Sequence, residues 1–190
     1  MIRSKDILRT ILPLCALLIL FSCKEDRKIK ALSDSIESNL NRKITIPDSL
    51  KEFKPFENYK NEDAFESNLK IVTSINASCA TCVSKVNDWQ LFSEELISKD
   101  ISIPIIPIFD SSDDFQLLFY SCENLDIPTF NFPFYLDYND EFSRENLFIN
   151  ENESFRTVLI NEENKVILIG SPVDSPKLKE LYQSKIKELL

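Results

Sequence analysis

The stretch from Leu69 to Leu96 constrains the fold more than any other part of this chain. Leu69, Ile71, Thr73 and Ile75 alternate with Lys70, Val72 and Ser74, which predicts a strand. Cys82, Val86, Trp89, Phe92 and Leu96 then recur at intervals of three and four, which predicts a helix. A Cys-X-X-Cys sits where strand hands over to helix. Ser78 is the expected helix N-cap, which puts Cys79 at the first helical position, among unpaired backbone N–H groups. Those groups, with the positive end of the helix dipole, favour a thiolate. Cys82 heads the apolar stripe and is expected to be the more buried sulfur. An exposed nucleophile beside a sheltered partner is the arrangement dithiol exchange requires.

Two absences remove competing chemistry. The chain has no histidine, so Ser-His-Asp and Cys-His catalysis and histidine metal sites are excluded. Gly170 is its only glycine, which leaves neither a phosphate-binding P-loop nor a dinucleotide fingerprint. No cofactor is expected beyond a redox-active cysteine pair, and no metal. Zinc wants four ligands, and only Cys122 remains to join Cys79 and Cys82.

Residues 1–22 read as a signal peptide. Arg3, Lys5 and Arg9 precede an apolar run over 11–21 that is too short to span a bilayer. The run ends Leu20-Phe21-Ser22-Cys23, which resembles the lipobox of bacterial lipoproteins, and this resemblance makes Cys23 the lipidated residue. An ordinary secretory signal with a coincidental cysteine is the alternative. Lys24-Glu25-Asp26 resembles the export signals of some surface-exposed lipoproteins. Without residues 1–22 the chain keeps 19 Lys and Arg against 30 Asp and Glu. That excess argues against nucleic acid or anionic lipid as a partner, and leaves the lipid anchor as the only link to a membrane. Export would place Cys79, Cys82 and Cys122 in an oxidising compartment.

Residues 23–42 are expected to form a tether and an amphipathic helix carrying Ile29, Leu32, Ile36 and Leu40; residues 43–190 suit one domain. Residues 44–47 suggest a short edge strand, and 48–68 a loop packed through Phe53, Phe56, Tyr59 and Phe65. Residues 101–109 suit a buried parallel strand, which Pro104 and Pro107 push towards an edge. A helix over 113–125, a short strand over 132–136 and one or two helical turns over 141–148 follow. Strands at 157–160 and 165–169 form a hairpin across Asn161-Glu-Glu-Asn164. Asp174-Ser175-Pro176 starts a final helix.

Strand, Cys-X-X-Cys helix, strand, helix, short strand, hairpin and helix, taken with Ser78-Cys79-Ala-Thr-Cys82, Leu136-Asp137, Phe142 and Gly170-Ser-Pro172, resemble the thioredoxin fold over roughly 44–190. The resemblance is closest to the lipid-anchored thioredoxin-like proteins of Gram-negative bacteria, related to membrane-tethered thiol–disulfide oxidoreductases. It implies an α/β fold with a central mixed sheet flanked by helices, preceded by an N-terminal helical extension. It implies Cys79 as attacking and Cys82 as resolving thiol, protein thiols and disulfides as substrates, and a membrane reductant system as partner. It also implies a monomer on the outer membrane, on its periplasmic face or the cell surface.

Three positions depart from the family pattern. Ser78 stands where a tryptophan usually precedes the first cysteine. Phe155 falls at the position of a substrate-binding cis-proline, which makes its loop the candidate substrate contact. A cis bond there would cost about 3 kcal/mol, so a trans loop of another shape is expected. The opening strand offers no acid beneath Cys82. A non-catalytic envelope lipoprotein, with Cys79 and Cys82 as a structural or degenerate pair, is therefore the alternative to the oxidoreductase. Cys122 lies on the apolar side of its helix and is expected to be a buried structural thiol. Asp137, Asp140 and Glu141 lack an EF-hand register and read as a solvated turn, and Asp110, Asp113 and Asp114 as charge placed at a helix start.

Overall fold

The computed structural model describes residues 29–56, 59, 64–127 and 129–190. The leader 1–22 and Cys23 lie outside the described residues. The chain divides into two units, Met1–Asn39 and Leu40–Leu190. In the first, residues 29–39 form helix α1. Ile29 is 64 % exposed and Leu32 36 %, so the apolar stripe expected there is not a buried one. No described helix is long and apolar enough to cross a membrane.

The second unit is built on a six-stranded mixed sheet of order β1-β4-β3-β2-β5-β6. Its strands are β1 (Lys51–Phe53), β2 (Leu69–Asn76), β3 (Ile105–Asp110), β4 (Phe134–Leu136), β5 (Thr157–Asn161) and β6 (Val166–Ile169). β2, β3 and β4 are parallel, whereas β1, β5 and β6 pair antiparallel to their neighbours. Helices α2 (Ala80–Ser84) and α3 (Val86–Ser98) link β2 to β3, and α4 (Gln116–Glu123) links β3 to β4. Helix α5 (Glu141–Glu145) and two 3-10 turns precede the hairpin, and α6 (Pro176–Leu189) ends the chain.

Alternation along the strands sorts the core into two layers. Ile71, Ile75, Ile105, Phe109, Phe134 and Leu159 join Trp89, Phe92, Leu96, Leu118, Tyr182 and Ile186 in one cluster, which puts α3, α4 and α6 on that face. Val72, Ile106, Ile108, Val158 and Ile160 point the other way and are equally buried, as are Phe142, Phe148 and Ile149 from the segment before the hairpin. Burial on both faces explains the nearly unbroken apolar run of β3. It also carries Lys70 inside, at 1 % exposure. Its ammonium is satisfied by the carbonyls of Phe65 (2.6 Å) and Ser67 (3.1 Å), and burial lowers its pKa.

Three expectations change. β3 is an inner strand, not an edge. The Pro104 and Asp110 carbonyls accept from Ile71 and Ala77 on the β2 side, so by alternation Pro107 faces β4. β4 pairs only with Ile108 and Phe109, so the N–H that proline lacks falls beside the start of that short ladder. The loop read over 48–68 contains β1, whose three residues pair with Leu136, Tyr135 and Phe134. The edge pairing expected at 44–47 comes earlier, where residues 41–44 bond to the outer side of β6.

Candidate functional site

β2 is buried almost to its end, so the chain emerges from the sheet at Asn76 and turns at once into the cysteine pair. Each backbone N–H of the turn is bonded. Ala77 donates to the Asp110 carbonyl (2.8 Å), Ser78 to Asn76 Oδ1 (2.8 Å) and Cys79 to the Asn76 carbonyl (3.3 Å). Cys79 and Cys82 form a disulfide with their Cα atoms 5.2 Å apart.

The helix starts one residue later than expected, and Ser78 is not its N-cap. Cys79, in extended conformation, is the cap, and its Sγ accepts from the Cys82 N–H at 3.3 Å. Ser78 is drawn sideways instead: its hydroxyl donates to Asp113 Oδ1 (2.7 Å) and accepts from the Ser112 N–H (2.9 Å). Lys85 stays in the right-handed helical region between α2 and α3. Both sulfurs are half-buried, with Cys82 packed against the core cluster and the Thr81 hydroxyl 3.3 Å from Cys79 Sγ.

Cys82 lines a cleft of about 510 Å³. Trp89 lies along its helix side, Thr73 and Asn76 come from β2, and Ser154 and Arg156 of the last 3-10 turn close it together with Thr157 at the start of β5. Gly170, Asp174 and Leu178 complete the far wall. The Thr73 and Thr157 hydroxyls are bonded to each other at 2.9 Å. Lys85, at the junction of the two helices, pairs with Asp174 at 2.7 Å. At the end of β3, in register with Asn76, burial raises the Asp110 carboxyl above its usual range, opposed by the Arg156 charge and by a 3.3 Å bond from the Ser74 hydroxyl.

The loop expected to contact substrate does line the cleft, but the Phe155 side chain is turned away from it. Its ring is 1 % exposed, and its neighbours Ser154 and Arg156 face the cleft instead. The reason is the 3-10 turn Glu153–Arg156, capped by Asn152, which rolls the aromatic into the interior. Among the described residues every peptide bond is trans.

Cys122 is a free, buried thiol whose pKa burial pushes up to about 12, with a smaller contribution from Glu123. Asp137 is buried, not part of a solvated turn. Its carboxylate accepts from the N–H groups of Glu141 (3.0 Å) and Phe142 (2.8 Å), which ties down the start of α5. No group of three or more potential metal ligands occurs among the described residues. The sequence reading missed Arg156, Asp174 and the Ser78–Asp113 contact. All three depend on residues brought together from distant parts of the chain, and no spacing signals them.

No protein-family model matches the sequence, and no curated protein does. Among solved structures it is similar to an uncharacterized thioredoxin-like protein from Porphyromonas gingivalis, with a TM-score of 0.50 and 19 % identity over 78 % of this chain and 94 % of that one. The fold is thioredoxin-like. Lower-scoring similarities join it to a putative thioredoxin from Neisseria meningitidis (TM-score 0.45, 14 % identity, 64 % of this chain and 76 % of that one). Another is a thiol:disulfide interchange protein from a Bacteroides species (0.41, 15 %, 55 % and 65 %). In this thioredoxin-like chain the cysteine pair stands at the head of the helix that follows the central strand β2.

Proposed function

We propose that this protein is a thiol–disulfide oxidoreductase. The observation that carries the reading is the Cys79–Cys82 disulfide beside an open cleft, with Cys79 Sγ held by the Cys82 N–H. In the reduced protein that N–H would favour the Cys79 thiolate. The thiolate attacks one sulfur of a substrate disulfide, forming a mixed disulfide and releasing the other sulfur as a thiolate. Cys82, as thiolate, then attacks Cys79 Sγ, expels the remaining substrate thiol and closes the protein disulfide. Two electrons pass to the substrate, and a membrane dithiol reductant returns them. Ala80 and Thr81 add no charge between the sulfurs, so a moderate thiolate pKa suits reduction or isomerisation better than strong oxidation.

The leader and Cys23 support a tether of acyl chains to the outer membrane. Incorporation of labelled fatty acid that disappears in Cys23→Ala tests the anchor.

The inward-facing Phe155 favours a second reading, a binding module with a permanently closed disulfide. One experiment separates the two. Cys82→Ser should accumulate mixed disulfides with other proteins through Cys79, and Cys79→Ser should not. Absence of adducts, with a reduction potential below about −300 mV for the wild-type pair, would establish a structural bond.

A further inference from the structure

The residue before the nucleophile is bound to a loop with no sequence relationship to it. Ser78 Oγ donates to Asp113 Oδ1 at 2.7 Å, and Ser111 Oγ donates to the same oxygen at 2.7 Å. The Ser112 N–H donates back to Ser78 Oγ at 2.9 Å. Ser111 Oγ in turn accepts from the N–H groups of Asp113 (3.1 Å) and Phe115 (2.8 Å). This loop holds two adjacent non-glycine residues at positive φ, Asp114 at 54° and Phe115 at 63°. Such angles are uncommon, and the buried Phe115 ring and the serine bonds fix them. The β3–α4 loop is thus a rigid abutment, and Asp113 presents its carboxylate from it to Ser78.

We propose that Asp113, acting through Ser78, is a positioning residue that keeps Cys79 close to Cys82 when the disulfide is open. Resting on the oxidoreductase reading, the proposal concerns the equilibrium protein dithiol + glutathione disulfide ⇌ protein disulfide + two glutathione. The protein loses two electrons and two protons, and glutathione disulfide gains them. Ring closure is an intramolecular reaction whose yield follows how well the open form already resembles the closed one. Three other bonds fix the backbone N–H groups of residues 77–79, but only the Ser78 clamp joins a side chain of the turn to the neighbouring loop. Its loss lets the turn swing away from Cys82 and lowers the effective concentration of one sulfur at the other. The clamp therefore makes the dithiol a stronger reductant.

The test is redox equilibration of the purified protein with glutathione buffers, read by alkylation of the free thiols. Ser78→Ala and Asp113→Ala should each lower the equilibrium constant about tenfold, a potential about 30 mV less reducing. The double variant should lose no more than either single one. Ser78→Thr and Asp113→Asn, which keep a hydroxyl and an acceptor oxygen, should stay within about threefold of wild type. If Asp113→Asn matches Asp113→Ala while Ser78→Ala is silent, the carboxylate acts by charge and the proposal is wrong. It is equally wrong if all four variants equilibrate like wild type. Amide hydrogen exchange at residues 77–79 in the chemically reduced protein is the second measurement, and Ser78→Ala should accelerate it about tenfold. A wild-type pair that never equilibrates with glutathione overturns the proposed function. In that case unchanged exchange in Ser78→Ala overturns the clamp as well, while faster exchange keeps it as a restraint on the turn.

Discussion

Replacing Gly170 with alanine tests the geometry of the cleft wall. Gly170 follows β6 with φ +116°, and its N–H donates to the Thr157 carbonyl at 2.9 Å. Two costs follow from adding a methyl group. An L-residue held at that φ is strained by about 1–3 kcal/mol. The new carbon would also lie 2.9 Å from Leu178 Cδ1, although the leucine end can rotate away. Against these, alanine narrows the unfolded ensemble and returns about 0.4–1 kcal/mol. With about 0.5–1.5 kcal/mol for turning the leucine off its rotamer, the net expectation is a loss of about 2 kcal/mol, most of it from the backbone. With a urea slope of about 2 kcal/mol per molar, the unfolding midpoint should fall by about 1 M. Urea titration of oxidised wild type and Gly170→Ala, followed by circular dichroism, measures it. The same substitution in a Leu178→Ala background separates the two costs, and most of the loss should persist because φ is unchanged. A midpoint shift under about 0.25 M, or a loss that vanishes with Leu178→Ala, would refute the backbone argument.

Two further outcomes are expected. Cys122, with its pKa pushed up to about 12 by burial, should resist alkylation at pH 8 in the folded reduced protein and react only at the rate of unfolding; iodoacetamide labelling with peptide mapping checks this. Glu95 is held down to about 2 by Lys99, with help from Gln183 and Lys179, and the last two contacts join α3 to α6. A depressed carboxylate pKa means stability that is present above about pH 4.5 and lost as pH falls towards 2. Because the side chain is 35 % exposed, the contribution is about 1 kcal/mol or less, and acid unfolding of Glu95→Gln should lack that part of the decline.

Local rules carried the sequence reading where local physics decides. The β2 alternation, the apolar stripe of α3, the 157–169 hairpin and the Ser175 cap with Pro176 behind it each follow from a few neighbouring residues. The hairpin turn also shows why Asn161 and Asn164 stand there: the Asn161 side chain accepts from Glu163 and Lys165, and Asn164 takes φ +60°. What escaped was settled across the sheet. β1 is a strand only because β4 offers it an edge. Phe155 turns inward because a 3-10 turn rotates it, and Ser78 forgoes capping because Asp113 and Ser112 compete for its hydroxyl. At the site, the cysteine pair was legible but the wall facing it was not. Arg156, Gly170 and Asp174 come from the last 35 residues, and only the closed sheet brings them to Cys82.

Residues 41–44 run along the outer side of β6, with Asn41 and Ile44 donating to the Val166 and Asn164 carbonyls and Val166 donating to the Arg42 carbonyl. Those bonds occupy an edge that would otherwise offer itself to another strand. They also make the segment a mechanical fuse. Tension arriving through residue 40 meets three backbone hydrogen bonds, the buried Ile44 and two bonds between Thr45 and the Asn146 side chain before it reaches β1. Yielding there would release about 14 Å of slack and leave β2, and the turn it holds, unloaded.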